Sequence, residues 1–154
     1  MSTYVWDRAG TLHINNEDAP FVDQGGSGIE MRLLQASADD GVVSAEYRFA
    51  PGIVGPLHRH HGPVYGFTSD GRWGHDTNFD YRRGSYVCEV PGIIHRFMSG
   101  PDESVRAFFV EYGGIEAIDE GSLEPLAMLG VKERVTLYFN ACEAAGLPRP
   151  NILR

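Results

Sequence analysis

The sequence has few of the features that mark membrane-spanning or disulfide-bonded proteins. It has two cysteines, Cys88 and Cys142, in 154 residues, which fits reduced thiols better than a disulfide framework. No apolar run approaches the roughly 20 residues that a transmembrane helix needs. The first ten residues, MSTYVWDRAG, show no basic region followed by an apolar run. We therefore expect a cytoplasmic protein without a signal peptide.

Positive charge is also scarce. The chain has 13 Lys and Arg residues against 21 Asp and Glu residues, and its formal net charge is -8. Because it contains no basic run that could replace the counterions of a phosphate backbone, we do not expect nucleic acid as a partner. The same charge argues against binding to an anionic membrane surface.

Turn-forming residues, in contrast, are abundant, with 19 glycines and 9 prolines, and they favour many short strands. Residues 29–37 and 41–49 are typical of two strands joined by the turn ADDG. The second of these alternates apolar and polar side chains, which is the pattern of an antiparallel strand with one buried face. About six more short segments follow, so the sequence predicts a sandwich or a small barrel. No repeat or linker divides residues 1–154, and we expect one domain.

Only the end of the chain changes its period. Between residues 131 and 146 the apolar residues recur at helical spacing, and Gly146 and Pro148 provide a stop. The apolar positions are Val131, Val135, Tyr138, Phe139, Cys142 and Ala145. The sequence therefore predicts one helix at about 131–146, packed on the outside of the β structure.

The histidines are the strongest candidates for a functional site. His58 and His60 are two residues apart, so on a strand they point to the same side of the sheet. Converging imidazoles on a rigid β framework can bind a divalent transition metal. His95 is the best third ligand, since the bend at Pro91 and Gly92 can turn the chain inward. The alternative is that these are ordinary core or surface histidines.

The remaining histidines carry weaker signals. His61 breaks the alternation and should face away from the site. His13 stands in a polar stretch and should lie at the surface. His75 lines the cavity only if Trp73 also faces inward, and the sequence leaves this open.

Two spacings resemble the motifs of the cupin superfamily. Gly52, five residues, and then His58, Arg59 and His60 match the first motif, which would cover about residues 52–71. Gly84, Gly92 and His95 match the second, over about residues 84–99. This resemblance implies an all-β single-domain cupin, a small antiparallel β-barrel or jelly roll with a C-terminal helix. It also implies a metal held by His58, His60 and His95.

One departure narrows the resemblance. Where cupins usually have Glu, separated from the second His by four residues, this chain has Tyr65. It is then similar to three-histidine cupins such as the acetylacetone-cleaving dioxygenases and the 2,4'-dihydroxyacetophenone dioxygenases. HRHHGPVYGFTSDGRW and the late CEAAGLPRP look most like the second group. That resemblance implies iron(II), O2 and cleavage of a C–C bond in a small diketone or hydroxyketone bound as its enolate.

Physical chemistry is compatible with this expectation but does not select it. Three neutral imidazoles leave the charge of a divalent metal uncompensated, which favours a bidentate anion such as an enolate. Imidazole also serves zinc, nickel and manganese, so an isomerase, lyase or hydrolase on the same histidines remains open. A metal-binding or small-molecule-binding cupin without catalysis is the third reading.

Several aromatic residues have two readings each. Tyr65 either fills the barrel or donates a hydrogen bond to the substrate, which would make it a catalytic residue. An apolar substrate-binding wall could be formed by Tyr47, Phe67, Trp73, Phe97 and Phe109, although core packing explains them equally well. Cys88 should be a buried small hydrophobe. The segment SVRAFFVEYGG is apolar on both faces, so its second face should meet either the C-terminal helix or a neighbouring subunit, and we expect a homodimer or larger homo-oligomer.

Overall fold

The computed structural model describes residues 5–6, 8–15, 19–76, 78–150 and 152, which form mostly β structure with one helix near the C-terminus. The expected single domain of residues 1–154 includes positions outside these ranges. The first strands are β1 (Val5–Trp6), β2 (Leu12–His13), β3 (Val22–Asp23), β4 (Ile29–Ser37), β5 (Val42–Phe49), β6 (His58–His60), β7 (Val64–Asp70) and β8 (Arg72–His75). They are followed by β9 (Asn78–Arg82), β10 (Tyr86–Glu89), β11 (Ile94–His95), β12 (Phe97–Ser99), β13 (Val105–Tyr112), β14 (Ile115–Ile118), β15 (Pro125–Leu129) and α1 (Val131–Ala144).

The strands form antiparallel sheets, as the frequent turns predict. The largest sheet has six strands in the order β10-β7-β13-β5-β4-β3. A four-stranded sheet follows the order β11-β6-β14-β15, and a three-stranded sheet the order β12-β8-β9. Neighbours in space such as β7 and β13 are distant in sequence, so the chain crosses between sheets. This arrangement confirms the predicted all-β class and the predicted C-terminal helix.

The predicted hairpin of β4 and β5 is confirmed almost to the residue. Val43, Ala45 and Phe49 are buried, and the polar residues between them face the other side. The alternation therefore marked the core face correctly, because the period of a strand is two.

Helix α1 also lies where its period predicts. Val135, Tyr138 and Cys142 are buried against β4, and the Tyr138 hydroxyl donates to the carbonyl of Pro20 at 2.8 Å. The helix ends before Gly146, whose φ of 68° is easily adopted by glycine. No helix in the described ranges is both long and apolar enough to span a bilayer.

Two apolar clusters divide the interior. One lies under α1 and includes Leu33, Val135 and Tyr138. The other is aromatic, and the Trp73 ring stacks on Phe97 with centroids 4.8 Å apart. Tyr47 packs against both clusters. The histidines lie beside the aromatic cluster, inside the barrel.

Candidate metal centre

The three predicted ligands converge at one end of an internal cavity. His58 and His60 project from the same side of β6, and His95 on β11 lies directly opposite His58 in the antiparallel pairing. The centroids of their rings are 4.7–5.3 Å apart. One nitrogen from each ring lies within 4.8 Å of the other two. The structure thus brings together the set that the two motifs predict.

Backbone hydrogen bonds fix the ring of His58 and the bend that precedes His95. The Nδ1 of His58 donates to the carbonyl of Pro56 at 2.9 Å, which leaves its Nε2 as a ligand atom. The bend before His95 is tied to β6, because the amide of Gly92 donates to the carbonyl of His60 at 2.9 Å. Gly92 has a φ of 89°, a conformation that glycine tolerates and other residues rarely adopt.

The chemistry of these residues fits a divalent transition metal. Among the described residues, Nδ1 of His60 and Nε2 of His95 are buried without a hydrogen-bond partner. Such buried polar atoms are costly unless something binds them. Burial lowers the pKa of His58 and lowers that of His95 to about 4, so both are neutral at pH 7, the form that ligates a metal. Imidazole donors alone do not select the metal.

A carboxylate that the motifs do not predict lies among the histidines. One oxygen of Glu89 is 3.2 Å from Nε2 of His60 and 3.5 Å from Nε2 of His95, and the other is 3.1 Å from Nε2 of His75. Burial by itself raises the pKa of Glu89, but the hydrogen bonds with His60 and His75 outweigh it and the net pKa is lowered. Glu89 is therefore ionised within the cluster.

His75, whose orientation the sequence left open, belongs to the site. Its ring stacks on that of His95 with centroids 4.3 Å apart and an angle of 10° between the planes. Together with Glu89 and His95 it forms a second group whose ligand atoms lie within 4.8 Å of one another. The site therefore contains four imidazoles, of which His60, His75 and His95 lie within 3.5 Å of the Glu89 carboxylate.

The prediction that Tyr65 lines the site is wrong. On β7 the inward position is Val64, which is 1% exposed, and Tyr65 is 39% exposed on the outer face. The inward position lies one residue before the one that the motif spacing indicates, and in a strand a shift of one residue reverses the side. Val64 pairs directly with Glu89 on β10, so the carboxylate comes from the strand beside the expected one.

A signal for Glu89 was present in its own strand. In β10, Val87 and Glu89 are partly buried, whereas Tyr86 and Cys88 are exposed. Alternation along SYVCEV would have placed Glu89 on the inner face. The same pattern shows that the expectation of a buried Cys88 is wrong, since Cys88 lies on the outer face of an edge strand.

The cavity next to the histidines has a volume of about 300 Å³. Four of the five residues predicted for its wall do line it, namely Tyr47, Trp73, Phe97 and Phe109. The fifth, Phe67, is 49% exposed on the same outer face of β7 as Tyr65. The prediction that Phe67 lines the cavity is therefore wrong. His61 faces outward, as expected, and its Nε2 lies 3.2 Å from Glu116.

Solved structures with the same fold cover most of the chain. A cupin-like protein of unknown function from Ralstonia eutropha is 22% identical over 92% of this chain and 91% of its own, with a TM-score of 0.83. An acetylacetone dioxygenase from Acinetobacter johnsonii is 20% identical over 85% and 91%, with a TM-score of 0.71. The complex of SigE with the anti-sigma ChrR from Rhodobacter sphaeroides gives 14% over 63% and 50%, at 0.53.

These identities establish the fold alone. The chain matches none of the curated protein sequences with which it was compared. The model of one family, however, matches residues 9–115, which include both histidine motifs and Glu89. The chain therefore belongs to the family of the ChrR cupin-like domain.

Proposed function

We propose that this cupin is a metal-dependent dioxygenase that cleaves a C–C bond in a small diketone or hydroxyketone bound as its enolate. His58, His60 and His95 would be the metal ligands, and iron(II) the metal. The observation that carries the proposal is the convergence of three imidazoles, two with unpartnered buried nitrogens, on one end of an aromatic cavity. The acetylacetone dioxygenase among the solved structures of this fold adds support.

When bound, iron(II) would supply open positions for a chelating ketone and for O2, together with the capacity to exchange an electron. The protein's own residues prepare the surroundings. Trp73 and Phe97 stack on one another and keep water from that side of the ligand. Tyr47 and Phe109 form the next part of the wall, so the preferred substrate carries an apolar or aromatic group.

Glu89 changes the electrostatic argument drawn from sequence. Its negative charge lies within hydrogen-bond distance of His60 and His75 and offsets part of the charge of a bound metal. A metal held there would therefore be less strongly positive than three neutral imidazoles alone would leave it. We assign Glu89 to orienting the imidazoles, as carboxylates commonly do for ligating histidines.

The test is reconstitution of the protein, purified without a histidine tag, with iron(II), zinc, nickel or manganese in turn. Oxygen uptake with a panel of 1,3-diketones and hydroxyketones is followed with an electrode, and the products are identified by mass spectrometry. We expect oxygen uptake and two-fragment products with iron(II) alone. Turnover with zinc and without oxygen would point to an isomerase, lyase or hydrolase instead.

A binding protein without catalysis is the second candidate, and one observation favours it. One oxygen of Glu89 lies 3.2 Å from His60 and 3.5 Å from His95, and as a fourth ligand beside the three histidines it would leave a tetrahedral zinc site without an open position. The matching family takes its description from ChrR, which is an anti-sigma protein in the SigE complex. X-ray absorption of the zinc-loaded protein distinguishes the two, because an open site shows ligands from solvent and a closed site does not.

The expected homo-oligomer and cytoplasmic location remain proposals. On the outer face of the six-stranded sheet, Tyr86, Phe67 and Phe108 lie side by side on adjacent strands, and each is at least 37% exposed. An apolar row of this kind is typical of an interface. Both cysteines are free thiols, which suits a reducing compartment.

A further inference from the structure

A buried ion pair lies in the wall of the same cavity, supplied by helix α1 and strand β13. Arg134 donates from its two terminal nitrogens to the two oxygens of Glu111, at 2.8 and 2.9 Å. It also donates to the hydroxyl of Tyr47 at 2.7 Å, and that hydroxyl in turn donates to Glu111 at 3.2 Å. All three residues line the cavity. We call Arg134, Glu111 and Tyr47 the helix cluster.

Stability alone does not explain the helix cluster well. Arg134 and Glu111 are each 5% exposed, and buried ion pairs are often no more stabilising than apolar residues of the same volume. The surrounding core of α1 consists of Val135, Tyr138 and Cys142, which already attach the helix to the sheet. An ion pair that borders a cavity can, however, present hydrogen-bonding groups to a ligand.

The hydrogen-bonding capacity of the helix cluster is not exhausted by its internal bonds. A guanidinium has five N–H donors, and the internal bonds of Arg134 occupy three of them. Glu111 balances the charge of Arg134, so the cluster as a whole is neutral. Such a cluster is complementary to a neutral oxygen acceptor, such as a carbonyl, rather than to an anion.

We propose that the helix cluster is a second polar subsite, at which Arg134 binds a neutral oxygen acceptor of the substrate remote from the metal. The ligand class is a small ketone with an apolar body and a further oxygen, held between the histidines and α1. This identification of the ligand rests on the proposed function, but the subsite itself does not require a metal.

The size of the cavity agrees with such a ligand. An apolar cavity of about 150 Å³ accommodates benzene, and the cavity here has about 300 Å³. It therefore has room for a ring or branched chain together with oxygen-bearing groups at two places. Helix α1 then takes part in substrate selection.

Two isosteric ligands test the subsite without metal. Acetophenone and α-methylstyrene differ in a C=O group against a C=CH2 group, and their affinities are measured by quenching of Trp73, which lines the cavity, in a Trp6→Phe background. The test variant replaces the ion pair by apolar residues, Arg134→Met with Glu111→Leu. The control is Arg32→Met with Glu46→Leu, a buried pair joined at 2.8 Å outside this cavity. Glu46 also accepts from Arg106, whose side chain is partly exposed, so the control leaves that cation in contact with solvent.

We expect the unsubstituted protein and the control to bind acetophenone about tenfold more tightly than α-methylstyrene, a difference that corresponds to one hydrogen bond. The test variant should lose that preference while still binding α-methylstyrene. A preference retained in the test variant, or none in the unsubstituted protein, would overturn the subsite. Failure of oxygen uptake with iron would instead overturn the proposed function, and the ligand preference measured without metal would still support the subsite.

A second measurement covers the case in which the test variant does not fold. In ¹⁵N-labelled protein carrying the natural pair, acetophenone should shift the guanidinium signal of Arg134, and α-methylstyrene should not. Equal shifts with both ligands would show that the helix cluster only attaches α1 to the sheet.

Discussion

Two buried carboxylates border one cavity, and they are neutralised in different ways. Glu111 has a permanent cation within the fold, because Arg134 binds both of its oxygens. Glu89 has imidazoles instead, and burial keeps the nearby His95 neutral at pH 7, since its pKa is lowered to about 4. One carboxylate is thus compensated by the chain, and the other gains from an added cation. The difference distinguishes a carboxylate whose charge is balanced within the fold from one that lies beside the proposed metal site.

The largest effect is expected when a proposed metal ligand is removed from the histidine cluster around Glu89, and the property affected is the metal content. His58→Ala leaves two of the three proposed ligands, so most of the bound metal should be lost, as measured by mass spectrometry of the purified protein. His61→Ala is the matched control, because His61 is its near neighbour in sequence but faces outward. Equal metal content in the two variants would refute the ligand assignment.

Removal of charge at Glu111 should affect folding rather than the metal. Glu111→Gln keeps the shape but leaves the buried guanidinium of Arg134 without its anion, which should cost about 3–5 kcal/mol. The free energy of unfolding in urea, without metal, measures this. A loss below about 1 kcal/mol would show that the pair contributes little to the fold.

The same substitution at Glu89 should produce the opposite result. Glu89→Gln should weaken metal binding about tenfold to a hundredfold, because a carboxylate that orients ligating imidazoles is lost. Without metal its stability should change little, since no permanent cation is left unpaired. Competition with a metal-binding dye gives the affinity. An unchanged affinity would show that Glu89 does not act on the ligands.

The smallest effect is expected at Tyr65. Tyr65→Phe removes a hydroxyl on the outer face, so metal content, ligand affinity and turnover should remain unchanged. A Tyr65 that donated a hydrogen bond to the substrate would instead slow turnover when its hydroxyl is removed. A tenfold loss of turnover would show that Tyr65 reaches the site in a conformation other than the one described.

The sequence was sufficient to predict the all-β fold and the convergence of His58, His60 and His95. Their two spacings are local patterns, and strand alternation then determines the side on which His58 and His60 lie. The prediction for Tyr65 is wrong because the motif spacing is ambiguous by one residue, and neighbouring residues of a strand point to opposite faces of the sheet.

The remaining features of the site depend on contacts between distant segments. Glu89 on β10 meets His60 on β6 although the two strands belong to different sheets, and a single carboxylate in a strand carries no motif. Arg134 and Glu111 belong to a helix and a strand that no local pattern links. Such pairs follow from the packing of elements, which propensity and periodicity do not specify.

Gly66 has a consequence for how this chain could diverge. On β7 it faces the cavity wall, and a Cβ there would come within 2.6 Å of the Phe109 ring. The Phe109 ring therefore occupies the space that a side chain at position 66 would need. A single methyl group at this position would push an aromatic wall inward and narrow the room for ligands. The size of ligand that the cavity accepts thus depends on glycine at position 66. A single codon change there could reduce that size without altering any polar contact.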